Sequence, residues 1–155
     1  MTELIDTLTR QEEELVFEAF DLEQAWLLGT RITETARRAG HAVGIDIQRP
    51  GFTLFRSALP GVTPDQHVWL SRKANVVLRM EKSSALVEAQ LRAAGIDPFA
   101  SWLGEDYAVT GGSFPIRVRG AGVVAAVSAS GLASMEDHDL VVEGIRAHLA
   151  EAANR

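Results

Sequence analysis

The chain has 155 residues and a mass of 16.8 kDa, the length of a single domain built on one core. Hydrophobic residues make up 46% and charged residues 23%, an ordinary globular mixture that excludes disorder and fibrous repeats. A net charge of −6 disfavours nucleic-acid phosphates and anionic membranes as partners. The absence of cysteine excludes disulfides, thiolate nucleophiles and Cys-ligated metal, so any metal would need His, Asp or Glu.

The acidic start, Thr2-Glu3-Leu4-Ile5-Asp6, lacks the basic and apolar regions of a secretion signal, and no apolar run approaches the ~18 residues of a membrane span. A cytoplasmic protein is the expectation. Residues 3–13 read as a surface helix, and alternation of Leu15, Phe17 and Ala19 reads as a first strand over 14–20. Asp21 and Gln24 form a capping pair, after which Leu22, Ala25, Leu28, Ile32, Ala36 and Ala39 trace a helical stripe up to Gly40. Val43, Ile45 and Ile47 alternate with polar residues, Pro50-Gly51 turns the chain, and 52–58 completes a hairpin.

Thr63-Pro64-Asp65-Gln66 opens a helix expected to run to about 82, and Ser83 or Ser84 starts another that Gly95 ends. Phe99, Trp102 and Leu103 are expected to pin the next loop to the core. A second strand pair follows over 114–119 and 121–130, and Ser134 is expected to cap a final helix with Val141, Val142, Ile145 and Leu149 inward. Two hairpins among helices, without βαβ alternation, point to a single α+β domain, 1–155 with its core over about 14–152, whose sheet is antiparallel.

Gly120-Ala121-Gly122-Val123-Val124-Ala125 fits G-x-G-x-x-A, yet the β-prone residues after it leave no crossover helix, so it reads as a hairpin turn. Arg72, Asn75 and Arg79 share one helical face, with Lys73 at the apolar boundary beside Trp69 and Leu70, a place where cations could clamp a carboxylate. The plainer alternative is a solvated face or salt bridges to another subunit. Gly111-Gly112 and Ser130-Gly131 could offer backbone N–H groups to an anion, although both patterns are also plain turns. His138 falls on the inward stripe of the last helix, with Asp137 and Asp139 expected to point away from it, and it reads as structural or ligand-binding.

In order along the chain, Gly111-Gly112-Ser113-Phe114-Pro115-Ile116, Gly122-Val123-Val124, Val127-Ser128-Ala129-Ser130-Gly131-Leu132 and Glu136-Asp137-His138 resemble the heme-degrading domain family. That family, also called GlcG/HbpS-like, includes the C-terminal domain of PduO-type cobalamin adenosyltransferases. Gly44-Ile45-Asp46-Ile47 and Trp69-Leu70-Ser71-Arg72-Lys73-Ala74-Asn75 extend the resemblance over nearly the whole chain, closest to the stand-alone, uncharacterised branch. It implies a profilin-like α-β-α sandwich with a five-stranded antiparallel sheet, assembly into dimers or larger rings, and heme as cofactor. Relatives take an axial histidine from the N-terminal helical region, whereas here the first 40 residues contain none and His41 is the nearest.

Three functional expectations follow. The first is a homo-oligomer binding, or degrading, a small anionic or planar ligand such as heme between Arg72, Lys73, Asn75, Gly111, Gly112, Ser130 and His138. The second is a non-enzymatic scaffold acting through protein–protein contacts, with Trp26, Trp69 and Trp102 as anchors. The third is a metal-dependent hydrolase built on His138, Asp46 and a helical carboxylate.

Overall fold

A computed structural model describes residues 2–154. Its elements are α1 (Thr2–Glu14), β1 (Val16–Phe17), α2 (Leu22–Arg38), β2 (Gly44–Arg49), β3 (Phe52–Ala58), α3 (Pro64–Met80), α4 (Ser84–Ala93), β4 (Ser113–Val118), β5 (Gly122–Ser130) and α5 (Ser134–Ala153), with a 3₁₀ turn at Pro98–Ala100. The local chemistry behaves as its residues dictate. Asp21 accepts a hydrogen bond from the Gln24 N–H at 2.8 Å to start α2, Pro64 occupies the first turn of α3, and Ser83 accepts from the Leu86 N–H to start α4.

The sheet order is β1-β4-β5-β2-β3. Period-two alternation divides its side chains between two layers. Ile45, Ile47, Phe114, Ile116, Ala125 and Val127 pack with Ala25, Leu28 and Ile32 of α2 and Val141, Val142 and Ile145 of α5. Ala126 faces the other way, against Ala74 and Val77 of α3. α1 lies outermost on α4 through Leu8, Ala85, Leu86 and Ala89. Among the described residues no helix is long and apolar enough to cross a membrane.

Several expectations need correction. The sheet is mixed rather than antiparallel, because β1 runs parallel to β4, with Val16 opposite Arg117 and Phe17 opposite Val118. A hairpin forces antiparallel pairing, but β1 reaches β4 only through a long stretch of intervening chain, so no turn dictates its direction. The first strand is two residues, not seven. Phe99 and Trp102 do not pin their loop: they are exposed, and Pro98 and Leu103 are the buried anchors. Ser134 does not cap α5, whose N-cap is Ala133; its hydroxyl instead accepts from the Gly111 N–H at 2.7 Å. Gly120 and Gly122, both at positive φ, turn β4 into β5, as the hairpin-turn reading of this segment expected.

Candidate ligand-binding site

The most unusual chemistry lies where β5 ends, between α3 and α5. Lys73 belongs to the buried stripe of α3 with Leu70, Ala74 and Val77, so its stem runs under the helix toward the rim of the sheet. There Nζ donates to the Ala129 carbonyl at 3.0 Å and to Asp137 Oδ2 at 3.0 Å. The two side chains are 4% and 1% exposed. Asp137 in turn accepts from the Leu132 N–H at 3.0 Å and the Gly131 N–H at 3.4 Å, so one carboxylate secures both the ammonium and the turn after β5.

Gly112 makes room for this pair. Its φ is +134°, and a Cβ there would lie 2.5 Å from the Ala129 oxygen and 2.8 Å from Lys73 Nζ. Behind it, Ser134 links Gly111 to Glu88 of α4, donating to the carboxylate at 3.0 Å. Burial pushes the Lys73 ammonium below its usual range, opposed by Asp137 and, more weakly, by Glu88. Burial likewise pushes the Asp137 carboxyl up, against Lys73 and the two backbone donors.

Above the pair opens a depression of about 270 Å³. Lys73, Asp137, Thr110 and Ser130 line it, and Trp69 and Phe99 stand at its wall. The two rings meet edge to face, 6.4 Å between centroids at 77°. Phe99 is 56% exposed, and the Arg72 guanidinium lies over the Trp69 ring at 4.9 Å. An ammonium has three donors, and two of those on Lys73 are engaged by Ala129 and Asp137. The site therefore combines flat apolar faces with a charge-matched polar floor, while the Arg72 cation stacks on Trp69 outside the lining.

The residues singled out in the sequence separate into three places. Lys73 and Ser130 line the depression, with Gly111 and Gly112 directly behind. Arg72 and Asn75 turn to the neighbouring loop: Arg72 donates to the Glu105 carbonyl at 2.8 Å and the Tyr107 carbonyl at 3.4 Å, and Asn75 donates to the Asp106 carbonyl at 2.8 Å. Arg79 packs its guanidinium over Tyr107 at 5.3 Å. His138 is buried facing α1, its Nε2 2.8 Å from Gln11 Oε1, and beside the Phe114 ring. Burial lowers its pKa from 6.5 to about 4, so the ring is neutral near pH 7.

Asp137, expected outside, enters the site from α5 together with Ser134. Positions 137 and 141 are as well aligned on a helix as 138 and 142, so the inward stripe is wide enough for both. Phe99 and Ser134 read in the sequence as a loop anchor and a helix cap rather than as site residues, and Thr110, in a loop, carries no periodic signal. The hydrolase arrangement does not form: Asp46 sits between Ile45 and Ile47 and faces away from the α5 layer, held by Arg56 at 2.8 Å and Gln48 at 2.7 Å. Among the described residues no cluster of three or more metal-ligating side chains could hold an ion.

A five-stranded mixed sheet between helical layers, with its candidate site at the strand ends, is the HbpS type of α+β domain. The chain belongs to the family described as Haem degrading protein HbpS-like, which it matches over residues 20–146. A UPF0303 protein of Streptomyces coelicolor is 45% identical over 152 residues, covering 93% of this chain and 92% of that one. Another, from Acidobacterium capsulatum, is 43% identical over 147 residues, covering 94% and 89%. Among solved structures, Ybr137w protein superposes with a TM-score of 0.87 at 28% identity, covering 96% of this chain and 89% of its own. The PduOC:heme complex shares the fold at a TM-score of 0.70 and 17% identity, covering 83% and 94%.

Proposed function

We propose that the protein binds a small planar ligand in the depression between α3 and α5 and works as a homo-oligomer. The observation that carries the reading is the half-buried Trp69 ring, met edge to face by the exposed Phe99 ring, standing over a buried, hydrogen-bonding floor. Concave sites with aromatic walls and a few convergent polar groups are where small molecules bind, and about 270 Å³ suits a one- or two-ring compound. Lys73 and Arg72, both expected to clamp a carboxylate, divide that role. The charge of Lys73 is matched by Asp137, so its remaining N–H suits a carbonyl or hydroxyl oxygen; Arg72, stacked on Trp69 outside the lining, suits a carboxylate that projects past that ring.

The family, and a neighbour solved as a heme complex, support a heme-related ligand. Among the described residues the lining contains no His, Tyr or Met, and its Lys73 and Asp137 are committed to each other, so these residues do not fit the usual axial ligation of heme iron. The planar ligand assigned to the depression is therefore smaller and metal-free. Self-association is supported by exposed apolar side chains outside the depression, Leu22 and Trp26 of α2 and Phe52 of β3, with Trp26 60% exposed. These side chains, and Trp102 at 63% exposure, favour the scaffold reading, in which the depression would be idle.

Calorimetric titration with para-hydroxymethylbenzoate, a single ring bearing a carboxylate and a hydroxyl, tests the reading. Saturable binding that weakens about fivefold in Trp69→Ala and in Phe99→Ala is expected, the ~1 kcal/mol scale of one lost aromatic contact. Binding that is absent, or unchanged in both variants, overturns it. Light scattering of the wild type and Trp26→Glu reports the oligomer independently.

A further inference from the structure

The chain has thirteen arginines and only two lysines, Lys73 and Lys82. Lys82 lies in the turn between α3 and α4, bonded to Gln90 at 3.3 Å, whereas Lys73 is the amine at the floor of the depression. A guanidinium there would meet Gly112, where even one added carbon comes within 2.8 Å of Nζ, and it could not lose its proton. An amine can, and Asp137 Oδ2 stands 3.0 Å away to take it. We propose that Lys73 is a nucleophile that forms a reversible imine with an aryl aldehyde or ketone seated against Trp69 and Phe99. This rests on the depression being the ligand site.

The step balances within the pair. The ammonium passes one proton to the Asp137 carboxylate. The freed lone pair attacks the carbonyl carbon, a C–N bond forms, and the π pair moves to oxygen. A proton shifts from nitrogen to that oxygen, giving a carbinolamine; Asp137 returns its proton to the hydroxyl, which leaves as water. The product iminium carries the charge the ammonium had, opposite a restored carboxylate, so the floor holds the same net charge before and after. Burial favours the start of this sequence, since it moves Lys73 and Asp137 toward their uncharged forms. The Gly131 and Leu132 N–H groups keep the carboxylate aimed at Nζ throughout.

The test is incubation of the protein with para-formylbenzoate and cyanoborohydride, with adducts located by peptide mass spectrometry. The expected result is a single reduced adduct on Lys73, formed at least tenfold faster than on Lys82 or the terminal amine, lost in Lys73→Arg and kept in Lys82→Arg. Labelling of Lys82 and the terminus at rates matching or exceeding Lys73 overturns the proposal, and this reading needs no variant to fold. Calorimetry with the unreactive para-hydroxymethylbenzoate separates the failures. Binding without a Lys73 adduct refutes the imine and leaves the ligand site standing; neither binding nor adduct refutes both.

Discussion

Lys73 Nζ and Asp137 Oδ2, 3.0 Å apart, join the helical layer on one side of the sheet to the layer on the other. Lys73 comes from α3 and Asp137 from the first turn of α5, and they meet at the end of β5, where no sheet intervenes. Removing one partner leaves the other buried and unmatched, which costs about 3–5 kcal/mol. Lys73→Met should lose that much in urea unfolding. Lys73→Met combined with Asp137→Leu should recover more than half of it, and additive losses would show that the pair is not coupled.

Gly112 and Gly120 provide a matched comparison. Both have positive φ, but an alanine Cβ at 120 meets open space while one at 112 meets the Ala129 oxygen and Lys73. Gly120→Ala should cost about 1–2 kcal/mol, the backbone term alone. Gly112→Ala should cost clearly more and also shift the environment of Lys73, read as a slower imine-trapping rate. Equal melting temperatures for the two variants would contradict the close packing behind the pair.

His138 sets a pH dependence of stability. Its pKa is about 4 when folded and 6.5 when exposed, so between these values the unfolded chain binds more protons. The contribution is fully present above pH 6.5 and is lost as pH falls toward 4, by about 3 kcal/mol in total. Glu12, Asp137 and Asp139 have raised values and act with the opposite sign in acid, so the comparison must be differential. Wild type minus His138→Gln, measured by urea unfolding from pH 7 to pH 4, should slope in this direction. A flat difference would mean that the ring is solvated.

Hemin offers a check on the family's ligand. With no His, Tyr or Met among the described residues of its lining, the depression should give the same Soret absorbance change in the wild type and in Trp69→Ala. A saturable shift at one hemin per subunit, abolished by that substitution, would return heme to this site.

The sequence disclosed those parts of the fold whose signals are local. Asp21 and Gln24, the Ala25–Ala36 stripe, Pro50-Gly51 and the Gly120–Gly122 turn each mark an element within a few residues. The direction of β1 depends on a partner a hundred residues away, which no local pattern encodes. For the site, Lys73 was visible as a cation at an apolar boundary, but its partner was not. A charged Asp137 on the stripe of Val141 reads as outward until a buried cation is known to face it. Phe99 reaches the wall because Pro98 and Leu103 anchor its loop, and Gly112 matters for the space it leaves, which only the tertiary contact reveals.

The central claim, that the depression over Lys73 and Asp137 is where a ligand binds, is tested most directly by the backbone amide resonances of isotope-labelled protein during titration with para-hydroxymethylbenzoate. The account predicts saturable shifts concentrated on Thr110, Gly112, Gly131 and Leu132, together with the indole N–H of Trp69. Shifts confined to the Trp26 surface, or none at saturating ligand, would contradict it.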